Sequence, residues 1–167
     1  MIRAGRHLAV VALALLLAAC GWQLRGADGG GFEAVPIAVE GAVGNRLLDQ
    51  VSARLRDLGA DVVPSAADAR LVINVAEADS RRRTVATDAD GFASEYELRY
   101  RLRFSASPGG EAGPQTRGIV SQTVQTTASY PANPQDLQGQ DAEEEFLRRD
   151  LREDAIQLLL ARVGRQL

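Results

Sequence analysis

The sequence predicts an α+β domain in which two helices pack on a mostly antiparallel four-stranded sheet to form two layers. Two observations favour this class: one strictly alternating stretch near the middle of the chain, and a helical pattern on either side of it. The predicted element order is β-α-β-β-β-α. Two amphipathic helices can bury their apolar faces against one face of such a sheet, and the first strand-helix-strand unit is expected to cross over in the right-handed sense.

The alternating stretch has the clearest period in the chain. Its large apolar residues are Tyr96, Leu98, Tyr100, Leu102 and Phe104, and the charged residues between and before them are Glu95, Glu97, Arg99, Arg101 and Arg103. Successive side chains of a strand point to opposite faces. The pattern therefore predicts a half-buried antiparallel strand.

Three further segments are predicted to be strands. Residues 33–40 form a short strand, with a proline that favours a sheet edge or a strand end. Residues 71–87 are extended, and Asp90 and Gly91 then accept the positive φ angles of a type I′ hairpin turn. The Thr-rich residues 116–130 form the last strand, and one of its sides carries Val120, Val124, Thr126 and Ala128. Residues 61–64 could form another brief strand.

Two segments have helical periodicity. The first helix begins at Asn45 and ends before Gly59, a natural C′ residue, and its apolar positions are Leu47, Leu48, Val51, Leu55 and Leu58. The second is predicted over residues 141–163, where acidic residues suit the N-terminal dipole and arginines suit the C-terminal end. Its apolar face carries Leu147, Leu151, Ala155, Leu158 and Leu159.

The start of the chain has the order of a secretory signal. Arg3 and Arg6 precede an apolar run over residues 8–17, and two alanines lead to Cys20. A spanning helix needs about 20 apolar residues, so this shorter run predicts an export signal. The stretch Leu-Ala-Ala-Cys resembles the lipobox of bacterial lipoproteins, in which the cysteine is lipidated and becomes the N-terminus. The alternative is an ordinary signal with an incidental cysteine.

These features divide the chain into a signal peptide (residues 1–19), a lipidated tether (residues 20–32) and a single domain (residues 33–167). Acylation anchors the protein to a membrane, stably when two or more acyl chains are present. Gly21 stands where an aspartate would resemble the inner-membrane retention signal. We therefore expect an outer-membrane lipoprotein whose domain lies on the periplasmic side.

Composition excludes several classes of function. His7 is removed with the signal, Cys20 is committed to lipid, and the chain contains no lysine. The mature domain thus lacks a histidine base, a thiolate nucleophile, a Schiff-base lysine and the usual nitrogen and sulfur ligands of zinc. Its 17 basic and 22 acidic residues give a net charge of −5, which disfavours nucleic-acid binding. We expect no enzyme, no cofactor and no metal site.

Two charged clusters are candidates for function. Arg81, Arg82 and Arg83, the arginine triplet, could contact phosphate or another anion. The alternative is a solvated strand whose charges discourage edge pairing, and alternation would point Arg82 opposite to the other two. The three glutamates at residues 143–145 could suggest paired carboxylates, although the start of a helix explains them equally.

Residues 20–26 (Cys-Gly-Trp-Gln-Leu-Arg-Gly) resemble the mature N-terminus of the LptE family of lipopolysaccharide-assembly lipoproteins. Residues 93–96 after the predicted turn resemble the hairpin of that family, and Asn133 and Pro134 resemble its C-terminal section. The resemblance implies a non-enzymatic subunit that sits as a plug inside its partner, the LptD outer-membrane β-barrel. Together the two proteins place lipopolysaccharide in the outer leaflet. It also implies help in barrel assembly and binding of lipopolysaccharide.

One departure from the family concerns the lipopolysaccharide contact, which the resemblance would assign to basic residues at the hairpin tip and before the last helix. Here these segments, residues 88–91 and 138–140, contain no basic residue. Arg81, Arg82 and Arg83 could substitute as a lipopolysaccharide-binding site from lower on the same hairpin. Two alternative functions are a pilotin or barrel-assembly accessory among outer-membrane lipoproteins, and a periplasmic carboxylate enzyme.

Overall fold

The structure is a computed structural model that describes residues 31–113 and 117–167. The predicted signal peptide, Cys20 and the tether up to residue 30 lie outside the described residues. The described residues form two helices and five strands, which are β1 (Pro36–Gly41), α1 (Asn45–Asp57), β2 (Asp61–Val62), β3 (Leu71–Thr87), β4 (Ala93–Pro108), β5 (Ile119–Pro131) and α2 (Leu137–Gly164).

The described strands form one sheet in the order β2-β1-β3-β4-β5. Strand β1 runs parallel to both β2 and β3, whereas β3, β4 and β5 are antiparallel neighbours. The prediction of an α+β fold with two helices is confirmed, but the prediction of a four-stranded, mostly antiparallel sheet was wrong. The connection from β1 through α1 returns β2 parallel to β1. The segment after β2 then leads to β3 on the other side of β1, also in the parallel direction.

Both helices pack on the same face of the sheet, which we call the inner face. The inner face of β4 buries Leu98, Leu102 and Phe104 completely. The helices add to this core, α1 with Leu47, Val51 and Leu55, and α2 with Leu151, Ala155, Ile156, Leu159, Leu160 and Val163. Phe32, the last residue of the expected tether, is only 1% exposed and belongs to the same core.

The opposite, outer face is mostly polar. It carries the charged residues of β4 predicted from alternation, so the assignment of the two faces of this strand is confirmed. A small apolar cluster lies apart from the main core and consists of Ala38, Ala69 and Val72. No described helix is long and apolar enough to span a membrane.

A β-bulge in β5 contradicts one predicted position. Phe104 pairs with Gln122, but Ala106, two residues further along β4, pairs with Ile119. The extra residue on β5 inverts the inward and outward alternation at this end of the strand. Ile119 is therefore buried, and Val120, which we predicted to share a side with Val124, is 88% exposed.

The β3–β4 turn differs from the predicted type I′ turn. Gly91 has a φ of +88°, but Ala34 is the only described residue other than glycine with a positive φ. A type I′ turn needs positive φ at both central residues, and Asp90 does not supply it. The connection is a five-residue loop in which the Asp88 carboxylate accepts hydrogen bonds from the backbone N–H groups of Asp90 and Phe92, at 3.0 and 2.8 Å.

The start of α2 also corrects the sequence interpretation. The helix begins at Leu137, and the Asp136 carboxylate caps it by accepting from the Gly139 N–H at 2.9 Å. The acidic residues at 141 and 143–145 thus lie beyond the first turn, and their predicted role at the N-terminal dipole was wrong. Leu158, predicted on the apolar face, is 44% exposed, whereas Ile156 and Leu160 are buried.

Candidate functional site

The arginine triplet occupies consecutive positions of β3, so its side chains alternate between the two faces of the sheet. Arg82 lies on the inner face beside α2, and Arg81 and Arg83 lie on the outer face. The structure therefore does not bring the three predicted residues together at one site. It divides them between two environments, as strand alternation requires.

On the outer face, each carboxylate beside the triplet is shared by two arginines. Asp79 accepts from Arg81 and Arg101, both at 2.9 Å. Glu97 accepts from Arg83 through both of its oxygens, at 2.9 and 3.2 Å, and from Arg99 at 3.2 Å. Each group of two arginines and one carboxylate carries one surplus positive charge.

These contacts keep both carboxylates ionised. The hydrogen bond from Arg101 is the main cause that lowers the pKa of Asp79, and the one from Arg83 is the main cause that lowers the pKa of Glu97. The arginines remain largely accessible, with Arg81 74% and Arg83 59% exposed at the side chain. Exposed guanidinium groups with spare donors can bind phosphate or carboxylate oxygens from solution.

On the inner face, Arg82 takes part in a partly buried cluster around the buried carboxylate of Glu144. Arg82 donates to Glu144 Oε2 at 2.8 Å, and the Tyr130 hydroxyl donates to the same oxygen at 2.6 Å. Arg148, one turn further along α2, donates to Oε1 through two nitrogens. The Arg82 guanidinium also lies 4.7 Å from the centre of the Tyr96 ring. We call these five residues the Glu144 cluster.

The cluster shifts the titration of two of its members. Burial raises the pKa of Tyr130 to about 12, and its hydrogen bond to Glu144 acts in the same direction. Burial alone would raise the pKa of Glu144, but the hydrogen bonds from Tyr130, Arg148 and Arg82 outweigh it and hold this pKa below its usual value. Glu144 is thus a buried carboxylate that stays ionised because it is fully paired.

The sequence pattern did not lead us to predict that Glu144 faces the core. A signal was available, because Glu144 precedes Leu147 by three positions and Leu151 by seven. That spacing places all three on one side of a helix. Leu151 is buried and Leu147 packs against the core. Glu143 and Glu145 are exposed, so the three consecutive glutamates do not form paired carboxylates.

A depression of about 550 Å³ lies beside α1 on the inner side of the sheet. Its rim carries Arg46 and Arg152, and its lining contains no carboxylate and no histidine. Within residues 31–113 and 117–167, no group of three histidine, cysteine or acidic side chains is placed to hold a metal ion.

Three solved structures share this fold. Rare lipoprotein B from Shewanella oneidensis is 21% identical with a TM-score of 0.65, and the match covers 77% of this chain and 93% of that one. Lipoprotein B from Nitrosomonas europaea is 24% identical with a TM-score of 0.68, covering 86% and 90%. A minor lipoprotein from Acinetobacter baumannii is 21% identical with a TM-score of 0.60, covering 77% and 90%. At these identities the likeness concerns the fold.

Comparison with curated protein sequences gives no significant match. The profile of one family, described as LptE, lipopolysaccharide-assembly, matches residues 32–163. This match includes every described strand and nearly all of α2, and it agrees with the family resemblance seen at residues 20–26. The chain belongs to the LptE family of lipopolysaccharide-assembly lipoproteins.

Proposed function

We propose that this protein is the plug and assembly partner of the LptD β-barrel, and that it helps to place lipopolysaccharide in the outer leaflet of the outer membrane. The observation that carries the proposal is the family match over residues 32–163, which spans the five described strands, α1 and nearly all of α2. The protein is held on the periplasmic side of that membrane through acyl chains on Cys20.

The character of the outer face supports a position inside a barrel. On this face β4 carries charged side chains and β5 carries uncharged polar ones such as Gln125, Thr127 and Ser129. The other face of the sheet packs against the two helices. The lumen of a large outer-membrane barrel is polar. A small domain with such a face can lie in the lumen without exposing a large apolar surface to polar surroundings.

The surplus positive charge of the outer face supports direct contact with lipopolysaccharide, whose lipid A portion carries phosphates. We propose that Arg81 and Arg83, together with Arg99 and Arg101, form the contact surface. Arg82 contributes indirectly, because it is held in the Glu144 cluster on the other face. This narrows the site predicted from the sequence to two of its three arginines and adds two from the neighbouring strand.

The partnership is tested by extracting outer membranes with mild detergent from cells that carry a C-terminal tag on this protein. We expect a large β-barrel, identified as LptD by mass spectrometry, to co-purify in near-equal amounts. A different partner, such as a secretin or a component of barrel assembly, would contradict the proposal and favour the pilotin or accessory function.

The lipid contact is tested by measuring lipopolysaccharide binding to the double variant Arg81→Ala/Arg83→Ala. Loss of two guanidinium groups should weaken binding and reduce its dependence on salt. The matched control is Arg54→Ala/Arg56→Ala, which removes two exposed arginines from α1 with the same change in net charge. Equal binding by the two double variants would show that the outer-face arginines are not the contact.

A further inference from the structure

The two edges of the sheet differ in how well they are protected against pairing with a strand of another chain. Strand β2 at one edge has only two residues and is followed closely by Pro64. Strand β5 at the other edge has 13 residues, none of them charged, and its single proline is the last residue. Exposed edges usually carry charges, internal prolines or a covering element that prevents pairing with another chain. Strand β5 has no such charge or internal proline, in a chain of which 25% is charged.

The hydrogen-bond pattern identifies which residues of β5 face the open edge. The Ala132 N–H donates to the Ser94 carbonyl at 3.0 Å, so on this side of the bulge, from Gln122 to Tyr130, the even-numbered residues of β5 exchange hydrogen bonds with β4. The odd-numbered residues must then point their backbone groups away from β4, because the two kinds of pair alternate in an antiparallel ladder. Pro131, which has no N–H to offer, sits at one of these outward positions.

Part of this edge is already occupied. Arg162 of α2 donates to the Thr123 carbonyl at 3.0 Å and to the Gln122 side chain at 3.4 Å. Beyond it, Gln125, Thr127 and Ser129 each present an N–H and a carbonyl outward. In residues 31–113 and 117–167, no other backbone segment pairs with these groups. The open part of the edge is therefore about the length of one short added strand.

The residues on the outer face beside this edge indicate which side chain an added strand would carry. The strand registers place Arg81, Arg99 and Thr127 in one row across β3, β4 and β5. This row contains two arginines and no carboxylate, and the Arg99 Nε atom is buried without an acceptor among the described residues. A residue added beside Thr127 would lie about 10 Å from the Arg99 backbone, at twice the strand spacing. An acidic side chain there would complement the row.

We propose that the open edge of β5 receives an extended strand from a protein partner, with an acidic side chain on the outer face beside Thr127. A second copy of this chain fits less well, because two-fold pairing of β5 with itself places only uncharged residues there. Edge addition of this kind gives affinity through backbone hydrogen bonds and specificity through alternate side chains. The identity of the partner as the enclosing barrel rests on the function proposed above.

The test is residue-resolved amide hydrogen exchange in the free domain and in the complex purified through the C-terminal tag. In both samples the N–H groups of Val124, Thr126 and Ala128 should be protected by β4. The N–H groups of Gln125, Thr127 and Ser129 should exchange rapidly in the free domain and slow by on the order of tenfold or more in the complex. Docking through side chains alone would not produce this alternation.

A variant provides an independent measurement. Thr127→Pro removes one outward N–H and leaves the ladder with β4 intact, so the free domain should keep its melting temperature within a few degrees. Recovery of the partner under stringent washing should fall about tenfold. Thr127→Val is the matched control, because it changes the same side chain, keeps the N–H and should retain the partner.

The outcomes separate the two proposals. If LptD co-purifies but the outward amides still exchange rapidly, strand addition is wrong and the plug function stands. If no barrel co-purifies with the unaltered protein, both proposals are wrong. If the outward amides are protected in the free domain at high concentration and released on dilution, the occupant is a second copy, and the proposed partner strand is excluded.

Discussion

Among individual residues, Glu144 differs from its neighbours Glu143 and Glu145 through its surroundings alone. It is 7% exposed and accepts hydrogen bonds from three side chains, whereas the other two glutamates face solvent. A buried carboxylate with full pairing contributes little net stability over an apolar residue, but its removal leaves the partners without an acceptor. Arg82 and Arg148 are each about two-fifths exposed, so water can partly replace the lost bonds.

We therefore expect Glu144→Gln to lower the free energy of unfolding by about 1–3 kcal/mol, as measured in urea. The amide has the shape of the carboxylate but lacks the charge that both arginines require. Glu145→Gln makes the same substitution at an exposed position and should leave the free energy of unfolding within about 0.5 kcal/mol of its original value. Equal effects of the two substitutions would show that the Glu144 cluster does not stabilise the fold.

Tyr130 should make stability sensitive to alkaline pH. Its pKa rises from 10.0 to about 12 in the folded protein, so the folded state holds the phenolic proton more tightly than the unfolded state. The resulting stability is fully present below pH 10 and is lost as the pH rises from about 10 through about 12. Unfolding in urea at pH 9 and pH 11 measures the loss.

The matched variant for this alkaline effect is Tyr130→Phe, which keeps the ring and removes the titrating group. Its stability should fall less between pH 9 and pH 11 than that of the unaltered protein. Some loss will remain, because burial also raises the pKa of Tyr100. Parallel alkaline losses in the two proteins would exclude a contribution from Tyr130.

At the scale of elements, the bulge in β5 determines which of two adjacent apolar residues is structural. Ile119 is 7% exposed and Val120 is 88% exposed. Ile119→Ala should therefore lower the free energy of unfolding by about 2 kcal/mol or more, whereas Val120→Ala should change it by less than about 0.5 kcal/mol. The reverse order, measured by denaturant unfolding, would mean that the strand has no bulge and that the alternation predicted from sequence continues to its end.

The elements that the sequence predicted well are those whose periodic pattern places apolar residues on the side facing the core and polar residues on the side facing solvent. Strand β3 matches its predicted range, β4 shows the predicted two faces, and α1 begins at Asn45 as expected. In each case a shift of one residue would expose apolar side chains, so the pattern allows a single arrangement. The separation of Arg82 from the rest of the triplet followed from the same alternation.

The features that sequence did not predict depend on partners distant in the chain. The direction of β1 relative to β3 depends on where α1 returns the chain, and the bulge in β5 depends on its register with β4. The Glu144 cluster joins β3, β4, β5 and α2, and Glu144 is 62 residues from Arg82. The first turn of α2 contains no apolar period, so its start at Leu137 depends on the Asp136 cap.

At the scale of the whole molecule, three carboxylates are each shared between two arginines. They connect the two strands of the β3–β4 hairpin to each other and connect the hairpin to α2. Asp79 and Glu97 join β3 to β4 on the outer face, and Glu144 joins β3 to α2 on the inner face. The pKa of each is lowered in the folded protein. The folded state thus holds their protons less tightly than the unfolded state, whose carboxylates titrate near 3.8 for aspartate and 4.5 for glutamate.

The sign of this difference predicts acid sensitivity. The stability from these groups is present above about pH 4.5 and is lost as the pH falls through the lower pKa values of the folded state. Unfolding in urea between pH 7 and pH 3 should show this loss, and Glu144→Gln should reduce it more than Asp79→Asn does. Asp79 is near the surface, where water and salt weaken its pairing, whereas the Glu144 pairing is less accessible.

In the same unfolding experiment, salt distinguishes the stability contributed by the exposed ion pairs of the outer face from that contributed by the Glu144 cluster on the inner face. Sodium chloride at about 0.5 M shortens the screening distance to a few ångströms and should weaken the exposed pairs of Asp79 and Glu97. The part of the acid loss that survives in salt should then disappear in Glu144→Gln and persist in Asp79→Asn. If salt removes the whole acid loss in the unaltered protein, the Glu144 cluster does not connect the hairpin to α2 energetically. Apolar packing and the hydrogen bonds of Thr126 and Arg162 then hold the two layers together.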